Sequence, residues 1–300
     1  MGFEHIHFII NPVAGNGKSP LTKELLEQYF INSVHYLRVK HSTYKKHAIE
    51  LTKESIAEGA DIIVACGGDG TINEVASSLV GTSIPLGIVP IGSGNGLASN
   101  LRIPRNIRKA LELIRNQHKI KIDVGSLNDK FFFSNTGVGF DASVIKNYES
   151  SERHTLYGYL RACLTTFKEL KQTQNIRICI NDLTIMTDPF MIFVSNSNEM
   201  GYKLSLTPKA SLQDGLLDVL IISKIGRIKM LMLGILLVIN KPYLLKEAKS
   251  FQTKSLELYS NSGSAIDSQI DGELHSVQDG IINIQINKST LEVIVPENVY

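Results

Sequence analysis

Three glycine-rich segments, each directly behind a short β-rich run, constrain this chain more than any other feature. They are Asn11-Pro12-Val13-Ala14-Gly15-Asn16-Gly17-Lys18, Gly67-Gly68-Asp69-Gly70-Thr71-Ile72-Asn73-Glu74 and Pro90-Ile91-Gly92-Ser93-Gly94-Asn95-Gly96. Glycine lets a backbone approach a ligand closely and adopt positive φ, so that N–H groups face an anion. A helix beginning behind such a loop adds its partial positive charge. One loop of this kind means little, since tight turns use the same residues. Three of them at strand ends point to a site for nucleotide phosphates.

The surrounding pattern supports that placement. His5–Ile10, Val34–Lys40, Asp61–Ala65 and Leu86–Val89 read as strands, and Leu21–Phe30, His47–Glu58 and Ile72–Leu79 as helices between them. Such alternation predicts a three-layer α/β domain over residues 1–122, with a mostly parallel sheet covered on both faces and ligands beyond its carboxyl edge. From about Asp123 the texture changes. Runs such as Phe131–Ser134, Ile176–Ile180, Phe190–Ser195, Leu217–Ile222, Leu256–Tyr259 and Ile281–Ile286 follow one another, with helices near Tyr157–Leu170 and Ile228–Ile239. Residues 123–287 are therefore expected to form an antiparallel, sandwich-like β-rich domain. The cleft between two such domains is the expected place for a substrate pocket.

Composition excludes several classes. With 43% hydrophobic and 20% charged residues, the 300-residue chain lies in the globular range. A formal charge of +2 and no long basic run argue against nucleic-acid binding, and Lys45-Lys46-His47 and Arg105–Lys109 read as solvated faces. Cys66, Cys163 and Cys179 form no CxxC pair, which disfavours disulfides and zinc and fits a reducing cytosol. Met1–Ile10 lacks the features of a signal peptide. The apolar stretch Met230–Ile239 is far shorter than the ~20 residues of a membrane span and reads as a buried helix. His5 and His7 share a strand face but lack a third ligand, so they read as strand residues.

The loops also exclude two common nucleotide folds. Gly15-Asn16-Gly17-Lys18-Ser19 looks like the tail of a Walker A motif, but Pro12 stands where that motif needs glycine. The third loop has Leu97 where a dinucleotide fingerprint has its last glycine. By contrast, GGDGT followed by Asn73-Glu74-Val75 resembles the nucleotide loop of diacylglycerol kinases, sphingosine kinases and bacterial lipid-kinase relatives. The resemblance continues in order through NPxxGxG, Pro90–Asn95, Asp123-Val124-Gly125 and Asn135-Thr136-Gly137-Val138-Gly139-Phe140-Asp141-Ala142. It ends with Pro208-Lys209-Ala210, Asp214–Val219 and Asp271-Gly272-Glu273. It covers nearly the whole chain.

That resemblance implies a nucleotide-binding first domain, to which residues 288–300 return, and a lipid-acceptor second domain. It implies ATP and Mg²⁺ as cofactors, and a lipid substrate at a membrane surface met by a cytoplasmic, peripheral enzyme. Asn11, Gly15, Gly67, Gly68, Gly70, Thr71, Asn73, Glu74 and Ser93 are the nucleotide candidates, with Ser42 or Thr43 at the end of the second strand. Asp69 is expected to face Mg²⁺ or the acceptor hydroxyl, the alternative being a turn aspartate satisfying N–H groups. Glu273 is the implied proton acceptor from the lipid hydroxyl, the alternative being an ordinary hairpin turned by Asp271-Gly272. Asp123 is a supporting metal or water ligand, or else a strand-end cap. A structural Mg²⁺ is implied at the Asp214 side chain with the Ser211 and Leu216 carbonyls, the alternative being a metal-free turn. Glu74 has a second reading as an N-terminal helix charge. The apolar stretches Tyr157–Phe167 and Ile228–Ile239 either line an acyl pocket or are core helices.

The chain departs from many bacterial diacylglycerol kinase relatives at Gly96, where they carry an acid, and GSGN with Leu97-Ala98 looks closer to sphingosine kinases. The expected activity is phosphorylation of a hydroxyl on diacylglycerol or a related lipid. A sphingoid-base kinase, a catalytically silent lipid- or nucleotide-binding regulator and an NAD kinase-like enzyme stay open, as does a homodimer.

Overall fold

The computed structural model describes residues 4–15, 21–30, 35–92, 94–149, 156–169, 175–198, 205–239 and 241–298. The chain divides into two compact units, one of Met1–Ile122 with Lys288–Tyr300 and the other of Asp123–Asn287.

In the first unit β1 (Glu4–Ile10), α1 (Lys23–Phe30), β2 (His35–His41), α2 (His47–Ala57), β3 (Ile62–Gly67), α3 (Asp69–Leu79) and β4 (Leu86–Pro90) alternate. Then come α4 (Gly96–Asn100), α5 (Ile107–Asn116) and the start of β5 (Lys119–Leu127). The strands lie in the order β2-β1-β3-β4, all parallel. Every residue of β3 and β4 is buried, as befits strands covered on both faces. Leu26 and Phe30 of α1 and Ala110, Leu111 and Ile114 of α5 close one face over Phe8, Val64 and Ile10. Helices α2 and α3 pack on one another and against β1 and β3.

Helix α3 begins at Asp69, three residues before the expected Ile72. Gly68 serves as an extended N-cap and Ile72 N donates to Gly68 O at 3.0 Å, so the helix starts inside the GGDGT loop. The acid in its first turn is Asp69, which suits the helix dipole. Helix α5 was not expected, and Arg105, Arg108 and Lys109 lie exposed at its start, as the solvated-face reading of Arg105–Lys109 has it. Asn106 caps α5 by accepting from Lys109 N at 3.2 Å, and apolar residues at helical spacing anchor it beneath a charged exterior.

The second unit holds β6 (Lys130–Phe132), β7 (Asn135–Gly139), α6 (Phe140–Glu149), α7 (Leu156–Glu169), β8 (Ile176–Ile180), β9 (Leu183–Thr187), β10 (Pro189–Ser195) and β11 (Leu217–Ser223). These are followed by α8 (Arg227–Val238), β12 (Ala248–Thr253), β13 (Ser255–Ser260), β14 (Ile266–Ile270), β15 (Glu273–Val277) and the first half of β16 (Ile281–Ile294). One antiparallel sheet runs β12-β11-β10-β7-β14-β15, and a second set pairs β16, β13, β8 and β9. Ile178, Ile192, Val194, Val219, Leu258 and Ile282 fill the core of this β-sandwich. The second half of β16 belongs to the first unit, where Val293 lies parallel to Leu86 and Val295 N donates to His118 O.

The apolar stretch Met230–Ile239 is not the fully buried helix its composition predicts. Met230, Leu233 and Leu236 pack beside Phe190, Phe193 and Leu220, but Leu231, Met232, Ile235 and Ile239 are exposed. In α7 Ala162 and Thr166 are buried and Leu164 is exposed, while the side chains of Tyr157 and Phe167 lie outside the described residues. Among the described residues no helix is long and apolar enough to cross a membrane.

Candidate functional site

The parallel register sets the carboxyl ends of the first unit's strands level, with Ile10 beside both His41 and Cys66 and Gly67 beside Pro90. The loops after β1, β3 and β4 therefore meet along one edge. Asn11 ties the first to the second: its N–H donates to Cys66 O at 2.9 Å and its Nδ2 to Thr71 Oγ1 at 3.2 Å. Asn11 Oδ1 also accepts from Val13 N at 3.1 Å. Gly15, at φ 74°, lies against the third loop, where an added Cβ would sit 3.0 Å from Ile91 O. The stretch from residue 16 to 20, which includes Gly17 and Lys18, lies outside the described residues, as does Ser93.

The second and third loops are packed backbone to backbone. A Cβ on Gly92 would lie 2.5 Å from Gly68 Cα, so only glycine permits this approach. Asp69 closes the same seam, since its Oδ2 accepts from Asn95 N at 2.8 Å and its Oδ1 from Gly96 N at 2.6 Å. The expected Mg²⁺- or hydroxyl-facing carboxylate thus already serves as a brace between loops. Asn95 is buried in a left-handed conformation at φ 59°, accepts from Gly92 N at 3.1 Å and donates to Gly92 O at 2.5 Å. Behind the third loop lies a pocket of about 200 Å³ lined in part by Asn95, Ser99, Arg102 and Arg105. Arg105 donates to Gly94 O at 2.9 Å. Gly67 abuts Thr71 closely, whereas a Cβ on Gly70 would meet nothing within 4 Å. Gly70 thus opens toward space that a ligand would fill.

The second strand adds a further edge. Ser42 N donates to Ile10 O at 2.9 Å, and Thr43 bonds through both N–H and Oγ1 to His47 Nδ1 at 3.1 Å. The His47 ring stacks on Tyr44 with centroids 4.3 Å apart. Glu74 is the sixth residue of α3, so it is no N-terminal helix charge. Its Oε1 instead accepts from Lys46 N at 2.9 Å, where Lys46 is left-handed at φ 72°. Asn73 lies beside it on α3.

In the second unit Asp123 is buried, and its Oδ2 accepts from Gly215 N at 2.6 Å while its own N–H donates to Leu212 O at 2.7 Å. The candidate metal or water ligand therefore holds the Asp214-Gly215 turn. Within that turn Ser211 Oγ accepts from Gln213 N at 3.3 Å and Asp214 Oδ1 from Leu216 N at 3.0 Å. The turn is thus shaped by its own hydrogen bonds. Its donors, one carboxylate and the Ser211 and Leu216 carbonyls, are all oxygens and fit a hard cation that keeps several waters. Among the described residues no three His, Cys, Asp or Glu side chains cluster to hold a metal.

Glu273 is exposed at the first position of β15, after a two-residue turn with Asp271 at φ 47° and Gly272 at φ 85°. Two positive φ values make this a type I′ hairpin, the bland alternative for Asp271-Gly272. Asp271 does more than turn the chain. Its carboxylate accepts from the backbone N–H groups of Phe133, Ser134 and Asn135 at 2.8, 2.8 and 3.0 Å. Gln269, also buried, accepts from Gly272 N at 2.8 Å and donates to Asn135 Oδ1 at 2.7 Å and Asp141 Oδ2 at 2.8 Å. Burial pushes the Asp141 carboxyl up to about 6, against which the Gln269 hydrogen bond works. Asn95, Gln269 and Asp141 have no role in the sequence reading and Asp271 only that of a turn residue, although all but Gln269 fall inside the motifs above.

Residues 5–127 match the diacylglycerol kinase catalytic domain, and residues 134–295 the YegS C-terminal NAD kinase beta sandwich-like domain. The chain is 28% identical over 222 residues to a diacylglycerol kinase of Staphylococcus aureus (strain MRSA252), covering 72% of this chain and 70% of that protein. An uncharacterised Synechocystis protein is 28% identical over 231 residues, and there the match spans 53% of that protein's length. A solved diacylglycerol kinase structure from Bacillus anthracis str. Sterne covers all of both chains with a TM-score of 0.72 at 20% identity, and another from that organism reaches 0.78 at 21%. Those structures establish likeness of fold. With one domain matched in each half and the loops meeting at one sheet edge, the chain belongs to the diacylglycerol kinase-like family of lipid kinases.

Proposed function

We propose that this protein transfers the γ-phosphoryl group of ATP to a hydroxyl of diacylglycerol or a closely related lipid. One observation carries the reading: three glycine loops meet at the level carboxyl edge of one parallel sheet, seamed by Asp69. Phosphoryl transfer needs positioning and charge neutralisation more than covalent chemistry. The backbone of Gly68–Thr71, opening at Gly70 and backed by the α3 dipole, supplies donors for phosphate oxygens. Asn11 and Thr71 hold the first two loops together, and Asp69 keeps the third in register. Glu273 takes the proton of the acceptor hydroxyl, and Asp123 keeps the Asp214 turn in shape. Mg²⁺, when bound with the nucleotide, neutralises charge on the phosphates, and the Ser211–Leu216 turn is the place for a structural ion.

The acceptor is tested with labelled ATP against diacylglycerol, sphingosine, ceramide and NAD. Label in diacylglycerol is the expected result. Label in sphingosine alone reassigns the acceptor to a sphingoid base, and label in NAD alone makes the enzyme NAD kinase-like. Tight ligand binding without any labelled product turns the reading into that of a silent regulator.

A further inference from the structure

Helix α8 presents two apolar faces where one would suffice. Met230, Leu233 and Leu236 face the sheet, yet Ile228, Leu231 and Ile235 are 84%, 62% and 66% exposed, joined by Met232 and Ile239. These positions recur at i, i+3, i+4, i+7 and i+11, a single stripe along the helix. Tyr243 and Leu244, just beyond the helix, are exposed as well. Large aliphatic side chains left in water are unfavourable, and contiguous apolar patches on a protein surface mark places where something docks.

The charges around the stripe select the occupant. Between Ser223 and Ser250 lie Lys224, Arg227, Lys229, Lys241, Lys246 and Lys249, all exposed, and one acid, Glu247. Glu247 is spent on Lys229. Six of the chain's 31 basic residues but one of its 29 acids therefore sit here, in a protein whose total charge is only +2. Two copies placed stripe to stripe would bring two cationic rims together and repel. An anionic bilayer offers apolar depth for the stripe and negative headgroups for the rim. The helix has 12 residues, about 18 Å at the usual rise, too short to span but suited to lying in the interface.

We infer that α8, with its exposed stripe of Ile228, Leu231, Met232, Ile235 and Ile239, docks this protein onto an anionic lipid surface through its lysine rim. The inference deepens the lipid-kinase reading by naming the surface that presents the substrate, but its test needs no turnover. The full chain is sedimented, without nucleotide, with vesicles of phosphatidylcholine and phosphatidylglycerol in equal parts, and with vesicles of phosphatidylcholine alone. Binding to the mixed vesicles, weakened by salt, is expected.

The triple variant Ile228→Ser, Leu231→Ser, Ile235→Ser lowers that binding about tenfold or more, with an unchanged thermal melt because all three side chains are exposed. Lys224→Gln and Lys241→Gln each lower it roughly fivefold. Phosphorylation of a water-soluble short-chain diacylglycerol stays at the parent level in the two lysine variants. Equal vesicle binding by parent and triple variant overturns the inference, as does a parent that ignores anionic vesicles. A dimer in sedimentation velocity that the triple variant dissolves also overturns it, by assigning the face to a second copy. Variant-sensitive vesicle binding with no phosphorylation of any lipid upholds the docking surface and removes the kinase reading alone.

Discussion

The carboxylate of Asp69 grips the backbone of Gly96, with Oδ1 accepting the Gly96 N–H at 2.6 Å. An acidic residue at position 96 would keep that N–H but set a second carboxylate near Asp69, whereas Gly96 gives the tether with no like-charged neighbour of its own, and Oδ2 secures Asn95 N in the same way. Gly94 is part of the arrangement, since a Cβ there would lie 2.6 Å from Asp69 Oδ2. The spacing of the second and third loops is therefore set by one side chain and by glycines that let it in.

Asp69→Asn is predicted to lose stability as well as activity. An amide is uncharged and has one accepting oxygen, so one of the two N–H donors keeps only a neutral acceptor and the other faces an NH₂ group. Hydrogen bonds to charged groups contribute about 1.5–3 kcal/mol each, and a loss of that order is expected in urea denaturation. A carboxylate that served chemistry alone would leave the denaturation midpoint where it was.

Gly92→Ala and Gly70→Ala separate packing from ligand contact. At Gly92 the added methyl would meet Gly68 Cα at 2.5 Å and Asn95 Oδ1 at 2.9 Å, both fixed. That variant should melt lower by an amount equivalent to about 1–3 kcal/mol. At Gly70 nothing lies within 4 Å, so the melt should hold while the KM for ATP rises. An unchanged KM would show that no phosphate approaches this glycine.

Asp271 and Glu273 share a turn but not a job. Asp271→Ala strands three backbone donors at Phe133, Ser134 and Asn135, and about 3 kcal/mol of stability should go with it. Glu273→Gln, at an exposed position, should leave the unfolding curve within about 0.5 kcal/mol of the parent. Its phosphoryl transfer should nevertheless fall by roughly a hundredfold or more, the loss typical of a missing general base. Activity that survives this change would return Glu273 to an ordinary hairpin residue.

Strands β3 and β4 were legible because each is a short apolar run ending in glycine or proline, and Ile176–Ile180 emerged residue for residue because asparagines bracket a short β-branched run. Helix α5 is masked by its charged exterior of Arg108, Lys109, Glu112 and Arg115, although the Asn106 cap and the apolar Ile107, Ala110, Leu111 and Ile114 at i, i+3, i+4 and i+7 betray it. Helix α8 was legible as a helix but not as a half-exposed one, since composition cannot say which apolar residues find a partner. At the candidate site the glycines and Asp69 announce themselves by motif. Bonds such as Asn95 to Gly92 or Lys46 N to Glu74 depend on left-handed backbone at Asn95 and Lys46, which no periodicity reveals. Gln269 was invisible for a plainer reason: a lone glutamine in a strand has no pattern, and its three partners lie as many as 134 residues away.

The buried acid Asp141 should make the second unit's stability depend on pH in an unusual direction. Its carboxyl is held at about 6, above the ordinary 3.8, because burial disfavours the anion more than Gln269 supports it. A group raised on folding stabilises below its unfolded value and loses that contribution as pH climbs through its folded value. The parent therefore carries a penalty above about pH 6, on the order of 3 kcal/mol if the whole shift is expressed. Asp141→Asn removes the charge but keeps an oxygen for the Gln269 Nε2 donor. In urea denaturation from about pH 4 to about pH 8, the variant should match the parent at the acid end, draw ahead of it up to about pH 6 and keep a steady lead above that. Cys163, whose thiol is pushed up to about 11 by burial first and Asp141 second, should titrate lower once that charge is gone. A gap between parent and variant that stays constant across the range would mean that Asp141 is ionised throughout, with its charge met by partners in the sandwich.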